Sequence, residues 1–465
     1  MGSLRLLQRG SLLDTLAPFI LIPDQLNLYV NSETGNDNND GLTSGVALET
    51  IMAAINKIPA TSNGATITIT GSFKEIVYII EKLIVSNKQI QIVGTTVTLD
   101  TGTLTGSASY HYLTDSAKSW GTDEHKGKFC KITSGTYSNY VFPIMGNTAD
   151  TLDVVYTGVN VAIGSTYEIF EPAATIDGEN TRSTCVYAKG GSIVATLKNL
   201  NIINSTIGTR AEDGIVLLHD SCYFETHATY ATYSANANRT DHQSCYFKGA
   251  ATETYGVYGT QSPQHFKYCG FDGYTKSNGQ AIQYYISRSS AEYCSFYNCT
   301  RGVMGMGSGY IKLPYNLYKN CSYGIYGQFG ACIYSLSNIF DTCSEGIRSE
   351  LFAEIYSDAN TFTSVTIPLR RKLGGRIYVL NAVGSITTNL LEAEYESAWT
   401  ACTEGSGRNF AHGFGFTPKR VDVLYSTDGS GSMVYHDNTI WQAGDTYIGI
   451  TPEQTGYYKV RAFME

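Results

Sequence analysis

The segment YNLYKNCSYGIYGQ, residues 315–328, contains a motif that returns 22 residues further along the chain. The first copy reads Asn316-x-Tyr318-x-x-Cys321-x-x-Gly324-Ile325, and the second reads Asn338-x-Phe340-x-x-Cys343-x-x-Gly346-Ile347. A separate column of isoleucines keeps the same interval, at Ile311, Ile333, Ile355 and Ile377. Because two independent columns share one period, the sequence predicts a structural repeat.

The repeat extends towards the N-terminus with slightly longer units. A Cys-x-Phe motif begins at Cys222, Cys245, Cys269 and Cys294, with intervals of 23, 24 and 25 residues. Such drift is expected when residues are inserted into one turn of each unit. The array is predicted to cover residues 173–391.

The composition of the repeat separates two architectures that have units of this length. Leucine-rich repeats need several leucines in each unit, whereas this array is poor in leucine. Short runs of β-branched and aromatic residues alternate with Gly, Asn, Ser and Asp, which is typical of short strands joined by turns. Each unit holds about three strands, so the predicted fold class is all-β, with a parallel β-helix as its main part.

Equivalent side chains of successive coils are expected to stack inside this helix. Residues at i and i+2 of a strand share a face, so the aromatic residues form one internal column, with neighbours about 4.8 Å apart. The column comprises Phe224, Phe247, Phe271, Phe296, Tyr318, Phe340 and Phe362. In the adjacent column, Asn316, Asn338 and Asn360 follow the cysteines and are expected to bond backbone groups or one another.

The overall composition indicates a large folded protein and argues against nucleic acid as a partner. Apolar residues make up 42% of the 465 residues, enough to bury a long core. A net charge of −9 with 16% charged residues lacks the basic surface that nucleic-acid binding needs. The 35 tyrosines combine an apolar ring face with a hydroxyl, which suits contact with sugars.

The 11 cysteines do not indicate a metal site. Seven of them lie on the repeat columns, where a stack of small buried thiols explains their spacing better than disulfides do. The sequence has no CxxC pair or clustered His/Cys spacing, so we expect neither a metal nor a cofactor.

The N-terminal segment, residues 1–27, contains one short apolar run interrupted by Pro18 and Pro23. The run is too short to span a membrane and lacks a small-residue cleavage site at the right place. We therefore predict a segment for attachment and no insertion into a membrane.

Three further segments are expected besides the array. Residues 28–102 are predicted to form the first coils, with a helix over residues 48–58 that stops at Pro59 and covers the open end of the solenoid. The period is lost in residues 103–172, which are predicted as an inserted small β-barrel. The period is also absent from residues 392–465, which are predicted as a C-terminal β-sandwich.

Three stretches match motifs of a known family. A Tyr-Val-Asn, Gly-x-Asp, Asp-Gly-Leu series is present at Tyr29, Val30, Asn31, Gly35, Asp37, Asp40, Gly41 and Leu42. Barrel landmarks are present at Trp120, Gly127 and Ile132-Thr133-Ser134-Gly135, and a tail-fibre element, HGFGFTPKRVDV, at residues 412–423. Together these stretches resemble phage tail-spike and tail-fibre proteins with a pectate-lyase-like right-handed parallel β-helix.

The resemblance implies a homotrimeric virion tail protein, made in the host cytoplasm, that contacts host cell-surface polysaccharide. Its N-terminus would attach to other tail or baseplate proteins. Some members of the family cleave the polysaccharide, and a fold does not by itself specify function. Three functions therefore stay open: a glycan-recognising tail spike or fibre for host adsorption, a polysaccharide hydrolase or lyase, and a purely structural shaft.

One outer patch of the array is predicted to carry the chemistry. Strand alternation places His219 and His242 outside, stacked and flanked by tyrosines. The candidate catalytic residues are Asp220, Asp241, His219, His242 and Glu225, since paired carboxylates hydrolyse glycosides and histidine can act as a general base. The candidate glycan-binding residues are Tyr223, Tyr246, His265, Asp272 and, in the C-terminal tip, His412. A solvated face with alternating charges is the alternative.

Overall fold

The computed structural model of the protein describes residues 25–380, apart from 81, 85–87, 107–109, 159, 191–192 and 251–254, and the backbone of eight strands between 395 and 463. Within residues 25–380 the chain winds into a parallel β-helix with three strands per coil, as its period predicts. The three lateral faces formed by these strands are named A, B and C.

Face A is a parallel sheet of 12 strands. From one end to the other these are Leu26–Asn31, Ala65–Thr70, Ile90–Gly94, Val194–Lys198, Val216–Asp220, Arg239–Gln243, Gln264–Lys267, Arg288–Glu292, Tyr310–Pro314, Cys332–Leu336, Glu354–Asp358 and Arg376–Leu380. The predicted isoleucine column is in register, since Ile311 pairs with Ile333, Ile333 with Ile355 and Ile355 with Ile377. Equivalent residues of successive coils are therefore paired, as the 22-residue period predicts.

Faces B and C are two strips of one 18-stranded sheet. Two long strands, Leu200–Glu212 and Tyr223–Ala235, run through both strips. Face B also contains Ser72–Phe73, Ala174–Asp177, Tyr246–Lys248, Gly270–Asp272, Ser295–Tyr297, Leu317–Lys319, Ile339–Asp341 and Thr361–Thr363. Face C also contains Val77–Ile79, Thr184–Lys189, Tyr255–Thr260, Gln280–Tyr285, Arg301–Met306, Tyr323–Gln328, Glu345–Ser349 and Ile367–Arg371. Thr61–Ser62 pairs with Leu83–Ile84 in a separate short sheet.

The predicted aromatic column lies behind face B. From Phe224 to Phe362, successive ring centroids are 4.6–5.0 Å apart and the ring planes are within 10° of parallel. This distance is the spacing between hydrogen-bonded strands. Burial of each ring stabilises the fold by about 2–3 kcal/mol, so the column is a major part of the core.

The adjacent column changes from cysteine to asparagine. The ten cysteines within residues 25–380 are free thiols. Asn338 is fully buried, its Nδ2 donates to the Leu313 carbonyl at 2.7 Å, and its Oδ1 accepts from the Asn316 backbone at 2.7 Å. Asn360 Oδ1 accepts in the same way from the Asn338 backbone at 2.8 Å. The asparagines thus satisfy backbone groups at the corner, as predicted.

A left-handed residue precedes this column at each corner. Ser221 and Ser244, directly before Cys222 and Cys245, both have φ of 53°. In an extended strand, residues three apart point to opposite faces. The left-handed residue bends the chain and resets the alternation, so the residue three positions before each cysteine points inward, as the cysteine itself does.

The prediction that His219 and His242 face outward is therefore wrong. Both side chains are 1% exposed inside the solenoid. The His242 ring lies between those of His219 and Phe266, at 4.5 Å from each and within 3° of parallel. The two histidines do stack, but they are core residues that a polysaccharide outside the solenoid cannot reach.

The helix Ile51–Lys57 covers the first coils, as predicted, and follows a short 3-10 helix at Ser44–Val46. Thr50 caps it, because its Oγ1 accepts from the Ala53 backbone at 3.1 Å. Three apolar side chains of the helix belong to the core cluster of the solenoid. The helix thereby closes the end of the core, while the backbone edge of the first strand bonds Gly41 and Leu48.

The insertion is a separate antiparallel sheet of six strands. These are Thr96–Thr103, Tyr112–Thr114, Phe129–Ile132, Val141–Asn147, Thr151–Val154 and Thr166–Pro172. The backbone amides of Thr105 and Gly106 donate to the Thr114 carbonyl and bring the two edge strands together. The sheet curves into a small barrel with its own apolar core.

The described strands after residue 395 form two antiparallel sheets. One contains Tyr395–Glu396, Thr400–Cys402, Arg420–Ser426, Tyr435–Asp437 and Gly456–Phe463, and the other contains Arg408–Ala411, Ile440–Ala443 and Tyr447–Ile450. The packing of these sheets into a sandwich and the five segment boundaries remain predictions.

Asn338 provides a test of the corner ladder. Asn338→Ala should lower the free energy of unfolding by roughly 2–5 kcal/mol, because buried groups of Asn316 and Leu313 lose their partners. Asn338→Cys should cost less, because thiols occupy this column in earlier coils. Guanidinium unfolding measures the effect, with the exposed Thr363→Ala as control. Equal midpoints for Asn338→Ala and Thr363→Ala would contradict the role of the ladder.

The buried histidines predict a loss of stability in acid. Burial lowers the pKa of His219 to about 3, that of His227 to about 4 and that of His242 well below its ordinary value of 6.5. Below pH 6.5 the unfolded chain takes up protons that the folded chain does not. Stability is therefore full above pH 6.5 and falls as the pH approaches the folded values, by about 1.4 kcal/mol per pH unit for each histidine.

The variant His242→Phe measures the contribution of His242 to this loss of stability in acid. Neither ring nitrogen of His242 has a hydrogen-bond partner among the described residues, so phenylalanine should preserve the stack without loss of stability at pH 7. We expect a shallower fall in the unfolding midpoint between pH 6 and pH 4, and a steeper fall for the converse variant Phe266→His. Parallel pH profiles for both variants and the unaltered protein would refute the assignment.

Candidate functional site

The insertion covers part of face B. Apolar side chains of the two bodies form one cluster, in which Met145 and Val155 of the insertion join Tyr246, Tyr297 and Leu317 of the solenoid. Such shared burial stabilises the docked arrangement. This part of face B is therefore not available to a large ligand.

Polar contacts fix the position of the insertion. The Tyr297 hydroxyl donates to the Asp153 carboxylate at 3.0 Å, and Lys126 Nζ lies 2.7 Å from the Asp272 carboxylate. Burial raises the pKa of Asp153 to about 6, although Lys319 and the Tyr297 hydroxyl oppose this shift. These groups serve the contact between the two bodies.

The docked insertion removes predicted glycan-binding residues from the surface. Tyr246 is fully buried and Asp272 is 7% exposed, so the prediction that they face solvent is wrong. Tyr223 stacks on Tyr246 at 5.7 Å, and its hydroxyl donates to Glu225 at 2.9 Å. Glu225 also pairs with Lys248 at 2.5 Å. The repeat period carries no information about what the insertion packs against, which is why the sequence misplaced this patch.

The other predicted site residues do not lie with these residues on face B. Asp220 and Asp241 lie on face A, and each pairs with a neighbouring cation. His265 lies on the next strand of face A, in register with Asp241. His412 lies outside the described residues. The structure thus brings Asp241 and His265 side by side, but it does not assemble the five candidate catalytic groups.

Two adjoining depressions form a groove along the outside of face A. The first has a volume of about 640 Å³ and extends from Gln264–Lys267 to Tyr310–Pro314. The second has a volume of about 330 Å³ and extends from Tyr310–Pro314 to Glu354–Asp358. Tyr310 and Lys312 line both depressions, so the groove is continuous.

A column of tyrosines lines the second depression and continues beyond it. Tyr334, Tyr356 and Tyr378 pair in register, with ring centroids 4.6 and 4.8 Å apart. The Tyr310 ring is tilted by 44° to that of Tyr334, so no parallel ring covers its face. Tyr310, Tyr334 and Tyr378 are 36%, 37% and 39% exposed. Exposed rings with hydroxyls offer both the apolar contact and the hydrogen bonds that sugars accept.

The first depression is lined by polar and charged side chains. His265, Ser290 and Lys312 succeed one another in register, and the small Ser290 leaves space between the two larger side chains. His265 Nδ1 lies 3.0 Å from Ser290 Oγ, and burial lowers the pKa of His265, so its ring is neutral at pH 7. Arg288, Ser289, Glu292 and Tyr310 complete the lining. The depression can therefore hold a polar group of a bound sugar.

Sequence reasoning missed this groove, although the repeat contains a signal for it. The residue after each isoleucine of the predicted column must face outward if the isoleucine faces inward. These positions hold Lys312, Tyr334, Tyr356 and Tyr378. The aromatic column of the groove is thus one residue away from the column that established the period.

The described residues contain no group of three or more His, Cys, Asp or Glu side chains that could hold a metal ion. A search of the same residues for a helix long and apolar enough to cross a membrane finds none.

Comparison with known proteins gives structural similarities at low identity. No family model matches the sequence, and no curated protein matches it significantly. The tailspike protein of Pseudomonas phage LKA1 is 12% identical, with a TM-score of 0.29, over 87% of this chain and 89% of that one.

Two further solved structures are similar at the same level. A lacto-N-biosidase from Eubacterium ramulus is 10% identical, with a TM-score of 0.38, over 76% of this chain and 68% of that one. The tailspike protein of an Acinetobacter phage is 12% identical, with a TM-score of 0.22, over 62% of this chain and 78% of that one. Similarity this low does not assign a function, and the parallel β-helix itself rests on the strand pairing described above.

Proposed function

We propose that the protein is a tail-spike or tail-fibre adhesin that binds polysaccharide on the host surface through the face A groove. The observation that carries this proposal is the exposed column of tyrosines along a continuous groove. Sugar rings present flat apolar faces between hydroxyl groups, which aromatic rings with polar neighbours recognise. Repetition of the tyrosine in three successive coils, at Tyr334, Tyr356 and Tyr378, offers similar contacts to successive sugars of one chain.

The motif matches at residues 29–42 and 412–423 support the virion location. They resemble the first coils and the distal element of phage tail proteins. A shaft that displays weak glycan contacts gains affinity when several copies act together. We therefore include a parallel homotrimer, and attachment to other tail proteins through residues 1–27, in the proposal.

Removal of the tyrosine column tests the binding site. Tyr310→Ala and Tyr334→Ala should each weaken binding to a recognised glycan roughly tenfold, because exposed aromatic anchors dominate such contacts. An array of bacterial capsular and lipopolysaccharide fragments supplies the ligands. The control is Tyr285→Ala, since Tyr285 on face C has the same 37% exposure as Tyr334.

The same glycans distinguish the functions that the sequence leaves open. Binding without shortened glycan chains is the expected result for an adhesin. Shortened chains would replace the proposal with a depolymerase, and binding to no fragment would favour a structural shaft. Equal losses for Tyr334→Ala and Tyr285→Ala would show that the groove is not the binding site.

The oligomeric state is a separate prediction. Three chains of 50.7 kDa give a particle of about 152 kDa. Light scattering coupled to size-exclusion chromatography measures this mass directly. A mass near that of one chain would remove the trimer from the proposal and leave the groove prediction untouched.

A further inference from the structure

The cations on the strands of face A fall into two groups. In one group each cation has a carboxylate partner. The pairs are Lys198 with Asp220 at 2.7 Å, Arg239 with Asp241, and Arg376 with Glu354 at 3.2 Å. Solvent and the carboxylates satisfy these cations, so they offer little to a ligand.

The other group comprises Lys267, which lies over the Tyr268 ring, and the two cations Arg288 and Lys312. Arg288 and Lys312 are exposed and line the first depression, and among the described residues neither forms an ion pair. Arg288 is in register with Tyr310, and Lys312 follows Tyr310 by two residues. From the strand and coil spacings, the backbone positions of the two cations are about 8 Å apart. Two long side chains at this distance can reach one small anion together.

The carboxylate of the depression, Glu292, lies at its other end. It is four residues beyond Arg288 on the same strand, about 13 Å along an extended chain, and its backbone is about 8 Å from that of Lys312. The end of the depression near Tyr310 is therefore electropositive. Tyr310 stands between the cations, with Lys312 Nζ 5.7 Å from its ring centroid, so an apolar sugar face and an anionic group can be held side by side.

From this arrangement we infer that the first depression recognises an anionic substituent of the glycan, a carboxylate or a phosphate, through Arg288 and Lys312. The inference rests on the proposed function, because it names the chemical class of the polysaccharide bound in the groove. The neutral tyrosine column holds neighbouring sugars, and the two cations select acidic chains from neutral ones.

An array with matched glycans tests the inference. Each acidic capsular or lipopolysaccharide fragment is printed in its native form, after carboxyl reduction and after dephosphorylation. The unaltered protein should bind acidic fragments and lose about tenfold or more in affinity when the anionic group is removed. The treatment that weakens binding identifies the group as a carboxylate or a phosphate.

Variants connect that loss to the two cations. Arg288→Gln and Lys312→Gln should each weaken binding to the native fragment about tenfold or more and leave binding to its neutral form unchanged. Arg288→Lys should recover part of the loss. Lys74→Gln is the matched control for each single variant, and Lys74→Gln with Lys189→Gln is the control for Arg288→Gln combined with Lys312→Gln. These exposed lysines form ion pairs elsewhere, and their replacement gives the same change in net charge.

The outcomes separate the inference from the proposed function. If Arg288→Gln and Lys312→Gln bind the native fragment as the unaltered protein does while Tyr334→Ala weakens binding, the inference is wrong and the adhesin proposal stands. Preference for neutral fragments would likewise overturn the inference alone. Binding to no fragment would overturn both.

Discussion

Hydrogen bonds between parallel strands keep successive coils at one distance, and the other features of this protein depend on that spacing. The aromatic column inside the solenoid repeats at 4.6–5.0 Å. The tyrosines outside face A repeat at 4.6 and 4.8 Å because they belong to the same strands. The packing that stabilises the core therefore also determines the geometry of the groove.

The period was sufficient to predict the coils, because equivalent residues in a solenoid must stack. Phe340 and Asn338 are found where their spacing places them. The sequence failed at positions where the chain leaves the extended conformation. The left-handed backbone conformation of Ser221 turns His219 inward. The alternation rule assumes an extended chain and therefore does not predict such a corner. Thr209 Oγ1, 3.1 Å from His219 Nε2, is one of the few polar groups that the ring meets inside.

Long-range packing is the second limit of prediction. Nothing in the local sequence around Tyr246 indicates that residues more than 90 positions earlier will cover it. The groove was more accessible to reasoning, since Tyr334 follows a column isoleucine by one position. The sequence signal for that site is the tyrosine that repeats at outward positions, which a search for titratable groups alone does not find.

The lateral faces take different roles as a result. The insertion packs on the outside of face B, over the strands from the one with Tyr246 to the one with Leu317. On face C, arginines lie over tyrosine rings of the same chain, as Arg348 does over Tyr323 and Tyr326 at 5.1 and 5.2 Å. Face A keeps exposed tyrosines and the cations Arg288 and Lys312, which have no carboxylate partner among the described residues, although Lys312 also lies over the Tyr310 ring.

The docked insertion also has a mechanical consequence. It contacts successive coils through Tyr246, Tyr297 and Leu317, so one coil cannot separate from the next in this region without detaching from the insertion as well. The insertion acts as a splint along the middle of the shaft. Thr361–Thr363 is the described face B strand on the C-terminal side that has no residue in the apolar cluster shared with the insertion, so fraying under load would begin there.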